Sequence, residues 1–227
     1  KQGIVGSTVY LATTEIKGNS MKSLMNSMGK TRKIALSKEV AEFLGNLHQI
    51  KGKYFGDLTD FKNLVGEKPS WSDYFLEKLW GYLNRKNEAF TPEEIRWVRE
   101  LFDRNKKLFL AVRDSTLTHN DLWSENIMVS MGRTLSGILD LESVILADNE
   151  YEVALFEAEL NEWGIDSKAF RRDYEKIIPL SKDYEKKKLL YQTESKAKTT
   201  GMFSEKSSFL KCKSISCAPR SNSSKFL

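Results

Sequence analysis

Cysteine is nearly missing from this 227-residue chain: there are two, Cys212 and Cys217, with no histidine close by. So sparse a pair supports neither a disulfide framework nor a thiolate metal site. No apolar run approaches the length that crosses a bilayer, and no secretory leader opens the chain. The G-x-x-x-x-G-K-S/T phosphate loop is not found either. The chain begins at Lys1 without an initiator methionine, which fits a fragment or a gene model truncated at its 5′ end. What these absences leave is a soluble, globular protein expected in the cytoplasm, with no membrane partner.

The charge needs to be located before it is interpreted. The net charge is +5 overall, but residues 181–227 hold 11 Lys or Arg against 4 Asp or Glu, so residues 1–180 carry −2. A nucleic-acid binder would place its basic residues on the folded domain. A mildly acidic body instead suits a small, cationic acceptor, with no nucleic-acid partner.

The richest stretch is Thr118-His119-Asn120-Asp121-Leu122-Trp123-Ser124-Glu125-Asn126-Ile127-Met128-Val129, followed by Ile138-Leu139-Asp140. A His-x-Asp-x-x-x-x-Asn match alone arises by chance in roughly one chain in a hundred of this length, so its surroundings must carry the argument. Asn126 leads into an apolar triplet, then a turn at Ser130-Met131-Gly132-Arg133, then a second apolar run from Leu135 to Leu139 that ends at Asp140. That pattern predicts a short β-hairpin. The residues before its first strand and after its second share the open end, so Asn126 and Asp140 can converge on one cation. Phosphoryl transfer needs this set: a carboxylate to take or orient the hydroxyl proton, and oxygen ligands for the divalent metal that accompanies a nucleoside triphosphate. Singly, each residue reads as a turn or cap former. Jointly they read as a kinase-like catalytic loop, with Asp121 as base and Asn126 and Asp140 as ligands. His119 joins Asp121 in the candidate catalytic group as a buried histidine that hydrogen-bonds the loop, with proton transfer the alternative. Trp123 reads as packing.

At these residues the chain resembles the aminoglycoside phosphotransferase family, whose members share the protein-kinase-like fold and phosphorylate small molecules. The run from His119 to Asn126 is similar to that family's His-Gly-Asp-Leu-Trp-Ser-Gly-Asn, with Asn120 and Glu125 in place of glycines. Asp140-Leu141-Glu142 resembles its metal-binding Asp-x-Asp/Glu, which adds Glu142 as an auxiliary ligand. Ala147-Asp148-Asn149-Glu150-Tyr151-Glu152-Val153-Ala154 resembles its Gly-Asp-Pro-Glu-Tyr-Asp-Leu-Ala, a stretch that favours the aminoglycoside-type branch. The Asp-Leu-Trp-Ser run is also similar to ketosamine kinases, and the His-Asn-Asp-Leu run with Asp-x-Glu to choline and ethanolamine kinases. The resemblance implies magnesium as cofactor, ATP or GTP as co-substrate, and a small hydroxyl-bearing acceptor.

Near the start, Val9 to Gly18 resembles the family's last N-lobe strand and hinge. That makes the backbone around Thr14, Glu15 and Ile16, together with Asn126, candidates for nucleotide contact. An alternative takes Gly3 to Tyr10 as a phosphate-covering loop with Lys17 as its lysine. It is disfavoured, because Lys17 opens into Gly18 and no helix with an inward Glu follows. On the hinge reading, the Gly-rich loop, its lysine and the helix bearing its glutamate partner all belong upstream of Lys1, and the chain alone is expected to have little or no kinase activity. A non-catalytic interaction domain derived from such a kinase is the competing class.

The expected fold is therefore α+β, mainly α: the helical C-terminal lobe of a protein-kinase-like fold, with a small β-hairpin at the catalytic loop and the N-lobe mostly absent. Its divisions are residues 1–18 as strand and hinge, 19–180 as the helical lobe, and 181–227 as a basic Ser/Lys-rich tail, disordered from about 195. Helical spacing marks Val40, Phe43, Leu44 and Leu47, with Ser37 as N-cap. A second stripe runs Trp71, Tyr74, Phe75, Leu79 and Tyr82. Thr91-Pro92-Glu93-Glu94 sets a capping box ahead of Ile95, Val98, Leu101 and Phe102. Met21, Leu24, Met25 and Met28 share one face and read as core rather than as an acceptor entrance. Tyr151 to Trp163 reads as a helix whose acids, Glu152, Glu157, Glu159 and Glu162, are mostly solvated, with one or two facing an amine-bearing acceptor.

Overall fold

The computed structural model describes residues 2–5, 8–11, 14–85 and 90–200. Its strands are β1 (Gln2–Val5), β2 (Thr8–Leu11), β3 (Asn19–Ser20), β4 (Phe55–Asp60), β5 (Val65–Lys68), β6 (Thr116–Thr118), β7 (Ile127–Val129), β8 (Leu135–Ile138) and β9 (Ile145–Ala147). Its helices are α1 (Met21–Leu24), α2 (Lys30–Leu47), α3 (Trp71–Arg85), α4 (Pro92–Leu110), α5 (Asn149–Glu162), α6 (Lys168–Glu175) and α7 (Tyr184–Thr200). The α+β class expected from the sequence holds.

The α4 start forms as its sequence dictates: Thr91 Oγ1 accepts from Glu94 N–H at 3.2 Å while Glu94 answers the Thr91 N–H at 2.7 Å. Ser70 caps α3 through the Asp73 N–H at 3.2 Å. At α2 the expected cap is corrected. The helix starts seven residues before Ser37, with Gly29 at its N-cap, and Ser37 lies buried inside it, returning its hydroxyl to Ile34 O at 2.8 Å. A mid-helix serine can satisfy itself on the preceding turn, so it need not mark a boundary.

More strand is present than the expected hairpin and N-terminal strand. β5-β4-β9-β6 form a four-stranded sheet, β3-β7-β8 a three-stranded one, and β1-β2 an antiparallel pair. The β4–β5 arm escaped notice because Gly56, Asp57, Asp60 and Gly66 are weak strand formers. It relies on left-handed backbone at Tyr54 and Leu64.

α5 is the central helix. Residues on all its sides are buried, including Tyr151, Val153, Phe156 and Leu160. It packs on α7, while α2 packs on α6 and α3 on α4. Around Trp71 the rings of Phe75, Phe109, Tyr151 and Tyr191 meet at centroid spacings of 5.1–6.5 Å. Met21, Met25 and Met28 are buried, as a core reading requires. α7 extends the folded body past residue 181, because Tyr184, Leu190 and Tyr191 are buried. Residues 201–227, with both cysteines, lie outside the described residues. Among the described residues no helix is long and apolar enough to cross a membrane.

Candidate active site

The predicted hairpin forms. β7 and β8 pair with Ile127 opposite Ile138, and Leu139 N–H donates to Asn126 O at 2.8 Å. The ladder therefore sets Asn126 beside Leu139, and Asp140 follows at the same open end. Asp140 takes the left-handed conformation (φ 61°, ψ 52°), which Asp tolerates better than most residues. The chain there turns into a short 3-10 segment, Leu141–Ser143.

Asp121 is half-buried and held from two directions. Trp123 Nε1 donates to its Oδ1 at 2.9 Å, and Asn126 Nδ2 reaches its Oδ2 at 3.3 Å and its backbone oxygen at 2.9 Å. Trp123 is therefore part of the site and not packing alone. Because both groups facing the Asn126 amide are acceptors, its nitrogen must point to them and its Oδ1 away. That oxygen and the exposed carboxylates of Asp140 and Glu142 have no hydrogen-bond or ion-pair partner among the described residues. Oxygen donors of these types suit a hard cation; Asn126 and Asp140 share the open end of the hairpin, but only Asn126 lines the cavity beside Asp121. Among the described residues no group of three or more His, Cys, Asp or Glu is placed to hold a metal ion.

His119 is fully buried. Its Nε2 lies 2.6 Å from Leu139 O, an acceptor, and its Nδ1 accepts from the Asp121 N–H at 3.3 Å. Both ring nitrogens are thus engaged by the loop, Nε2 as donor and Nδ1 as acceptor. The resemblance to glycine at position 120 finds its reason as well. Asn120 has φ 65°, and Asn enters that region more readily than most side chains.

Glu152 supports the loop from below, which sequence reasoning missed by counting the acids of α5 as mostly solvated. Its carboxylate accepts from the N–H groups of His119 (3.0 Å) and Asn120 (2.7 Å) and meets His48 Nε2 at 2.9 Å. His48 Nδ1 in turn contacts the Tyr174 hydroxyl at 2.8 Å. Glu157 is buried against Arg171, at 2.6 and 2.8 Å. Glu159 is 6% exposed, and its Oε1 accepts the Ser124 N–H at 2.7 Å. Burial holds the Glu159 carboxyl above its ordinary value, against the pull of the Ser124 side chain and N–H and, more weakly, of the Trp163 indole. Of the four acids only Glu162 is exposed. Glu125, in place of a glycine, is drawn below the usual carboxylate range by its ion pair with Lys22.

The hinge candidates run past this hairpin. β3 pairs with β7, and at Gly18 (φ 141°) a Cβ would meet Val129 O at 2.3 Å. A Cβ on Gly137 would strike the Ile16 side chain at 2.7 Å. Close approach thus requires glycine at both places and lays the segment from Ile16 to Gly18 against the β7–β8 hairpin. No backbone group of Thr14, Glu15 or Ile16 is hydrogen-bonded to another described residue. The alternative Gly-rich-loop stretch coincides with the β1–β2 pair, whose turn residues 6 and 7 are outside the described residues.

The sequence model of the fructosamine kinase family matches residues 23–215. This chain belongs to the fructosamine kinase family. A probable ketoamine kinase of Synechocystis is 32% identical over 162 residues, which are 65% of this chain and 50% of that protein. The chain thus spans about half the length of the curated relative it matches. A Thermobifida fusca protein described as a fructosamine-3-kinase superposes with a TM-score of 0.60 at 18% identity, over 80% of this chain and 64% of that one. A thermostable mutant of the aminoglycoside phosphotransferase APH(4)-Ia, in complex with AMP-PNP and hygromycin B, gives 0.58 at 17% identity, over 88% and 68%. At those identities the likeness shows the protein-kinase-like fold. The leaning toward the aminoglycoside branch is corrected in favour of the ketoamine branch. Its basis, Glu150 to Ala154, is scaffold: Glu150 binds Lys187 at 2.6 Å and Glu152 the loop backbone, so the stretch says nothing of the acceptor.

Proposed function

We propose that this chain supplies the catalytic-loop half of a ketoamine kinase, which transfers the γ-phosphate of ATP to a hydroxyl of a sugar bearing an amine. The observation that supports the reading best is the meeting of Asp121 and Asn126 in one cavity of about 630 Å³, with Asp140 at the same hairpin end. In this reading Asp121 accepts or orients the proton of the attacking hydroxyl, its carboxylate aimed by Trp123 and Asn126. Asn126 Oδ1 and Asp140 hold magnesium, with Glu142 as auxiliary ligand, and His119 stiffens the loop. Magnesium held by Asn126 and Asp140 would offset the negative charge of the triphosphate. Backbone groups at Thr14 to Ile16 face the adenine.

The test is phosphotransfer from ATP to 1-(butylamino)-1-deoxyfructose, followed by 31P NMR with the protein expressed from its complete reading frame. Asp121→Asn should lower the rate by on the order of 10²–10⁴-fold, and an unchanged rate would overturn the base assignment. Asp140→Ala should weaken magnesium-dependent nucleotide binding. Equal affinity with and without that carboxylate would remove it from the ligand set.

A further inference from the structure

Resting on the ketoamine reading, a second carboxylate in the same cavity is assigned a use. Asp121, Trp123, Glu159, Glu162 and Trp163 all line it. Glu125 and Lys22 complete the charged wall, but they are paired with each other. That leaves three carboxylates and no unpaired cation among the described lining residues. Glu159 is the unusual member. One of its oxygens holds the Ser124 N–H, whereas Oε2 is buried without a hydrogen bond of ordinary length, the Trp163 indole drawing only weakly on the carboxyl. A buried acceptor left without a donor is costly, and a fold that needed Glu159 only to hold Ser124 could use glutamine there without burying a charge. Two indole rings stand in the same walls, and such rings favour a cation near their faces.

We infer that Glu159 Oε2 receives the protonated amine of the acceptor while Asp121 faces the hydroxyl that takes the phosphate, so that Glu159 selects amine-bearing ketoses over plain ones. The amine sits on the carbon next to the ketose carbonyl, close enough to the sugar hydroxyls that one cavity must serve both groups. Glu162, at the exposed rim, adds attraction without being buried. An ammonium lodged against Oε2 also restores the ionisation that burial opposes.

The test reads binding rather than turnover. The 227-residue chain is titrated by calorimetry and by tryptophan fluorescence with 1-(butylamino)-1-deoxyfructose and, as the neutral comparator, fructose. The wild-type chain should bind the amine sugar at least about tenfold more tightly than fructose. Glu159→Gln, which keeps an oxygen for Ser124, should erase that preference while fructose binding stays as it was. A folded Glu159→Gln chain that retains the preference, or a wild-type chain that shows none, overturns the inference. Should Glu159→Gln fail to melt cooperatively, Glu159→Asp withdraws the same oxygen from the cavity and must also lose the preference. Loss of phosphotransfer in the 31P measurement, with the amine preference intact, would count against the kinase reading and not against this site.

Discussion

The carboxylate of Asp121 meets an indole N–H on one oxygen and a carboxamide on the other, so its direction is set before any acceptor arrives. A hydrogen bond to a charged group is worth about 1.5–3 kcal/mol, and each 1.36 kcal/mol of barrier is tenfold in rate. Trp123→Phe should accordingly lower kcat by about ten- to a hundredfold while nucleotide affinity holds, which steady-state kinetics will check. The placing of Asn126 and Asp140 at one hairpin end was legible in the sequence, because two apolar runs around a Gly-containing turn encode a hairpin, and that hairpin forms. Trp123 and Glu159 were not legible. An indole reads as packing until its N–H is seen to point at a carboxylate. The burial of an acid is set by elements far away in the chain, and no local pattern records it.

At the scale of elements, α5 positions the loop: Glu152 collects two loop N–H groups, one buried and one half-buried, and the buried His48. Its truncation would leave those donors unpaired at about 1–3 kcal/mol each. Glu152→Ala should therefore destabilise the fold by about 3 kcal/mol in urea unfolding, whereas a solvated acid would change it by less than about 0.5 kcal/mol. Glu159 contributes in the opposite electrostatic sense. Its folded pKa lies above the ordinary 4.5, so the native state binds more protons than the unfolded chain across the interval between the two values. The stability it confers is complete below about pH 4.5 and is lost as pH rises through the folded value. The difference in unfolding free energy between wild type and Glu159→Gln should shrink over that rise, as chemical denaturation at a series of pH values will show. Helices α2 to α5 were readable from periodicity and caps, apart from the α2 start, where Ser37 satisfies itself internally, whereas α6 and α7 were not singled out. The β4–β5 arm was not readable, because its pairing with β9, some 90 residues on, overrides weak local propensity.

For the whole molecule, the division of charge at residue 181 proved to be a division of composition and not of fold. α7 carries basic residues into the body: Lys187 is 6% exposed between Asp148 and Glu150, both at 2.6 Å. Burial disfavours its charge, but the two carboxylates outweigh burial and hold its pKa above the usual lysine value. Stability from this contact is therefore complete below about pH 10.5 and is lost above it. Lys187→Ala should cost about 3–5 kcal/mol, since it leaves two buried carboxylates uncompensated. The same helix brings Tyr191 into the aromatic cluster, where its hydroxyl accepts from Trp71 Nε1 at 2.8 Å and donates to Asp148 at 2.7 Å. Trp71 and Tyr191 are 120 residues apart. During synthesis the first six helices must therefore wait, with their shared core open on one side, until the segment around Tyr191 has cleared the ribosome. Nascent chains stalled before that point should remain protease-sensitive, and those stalled well beyond it should resist.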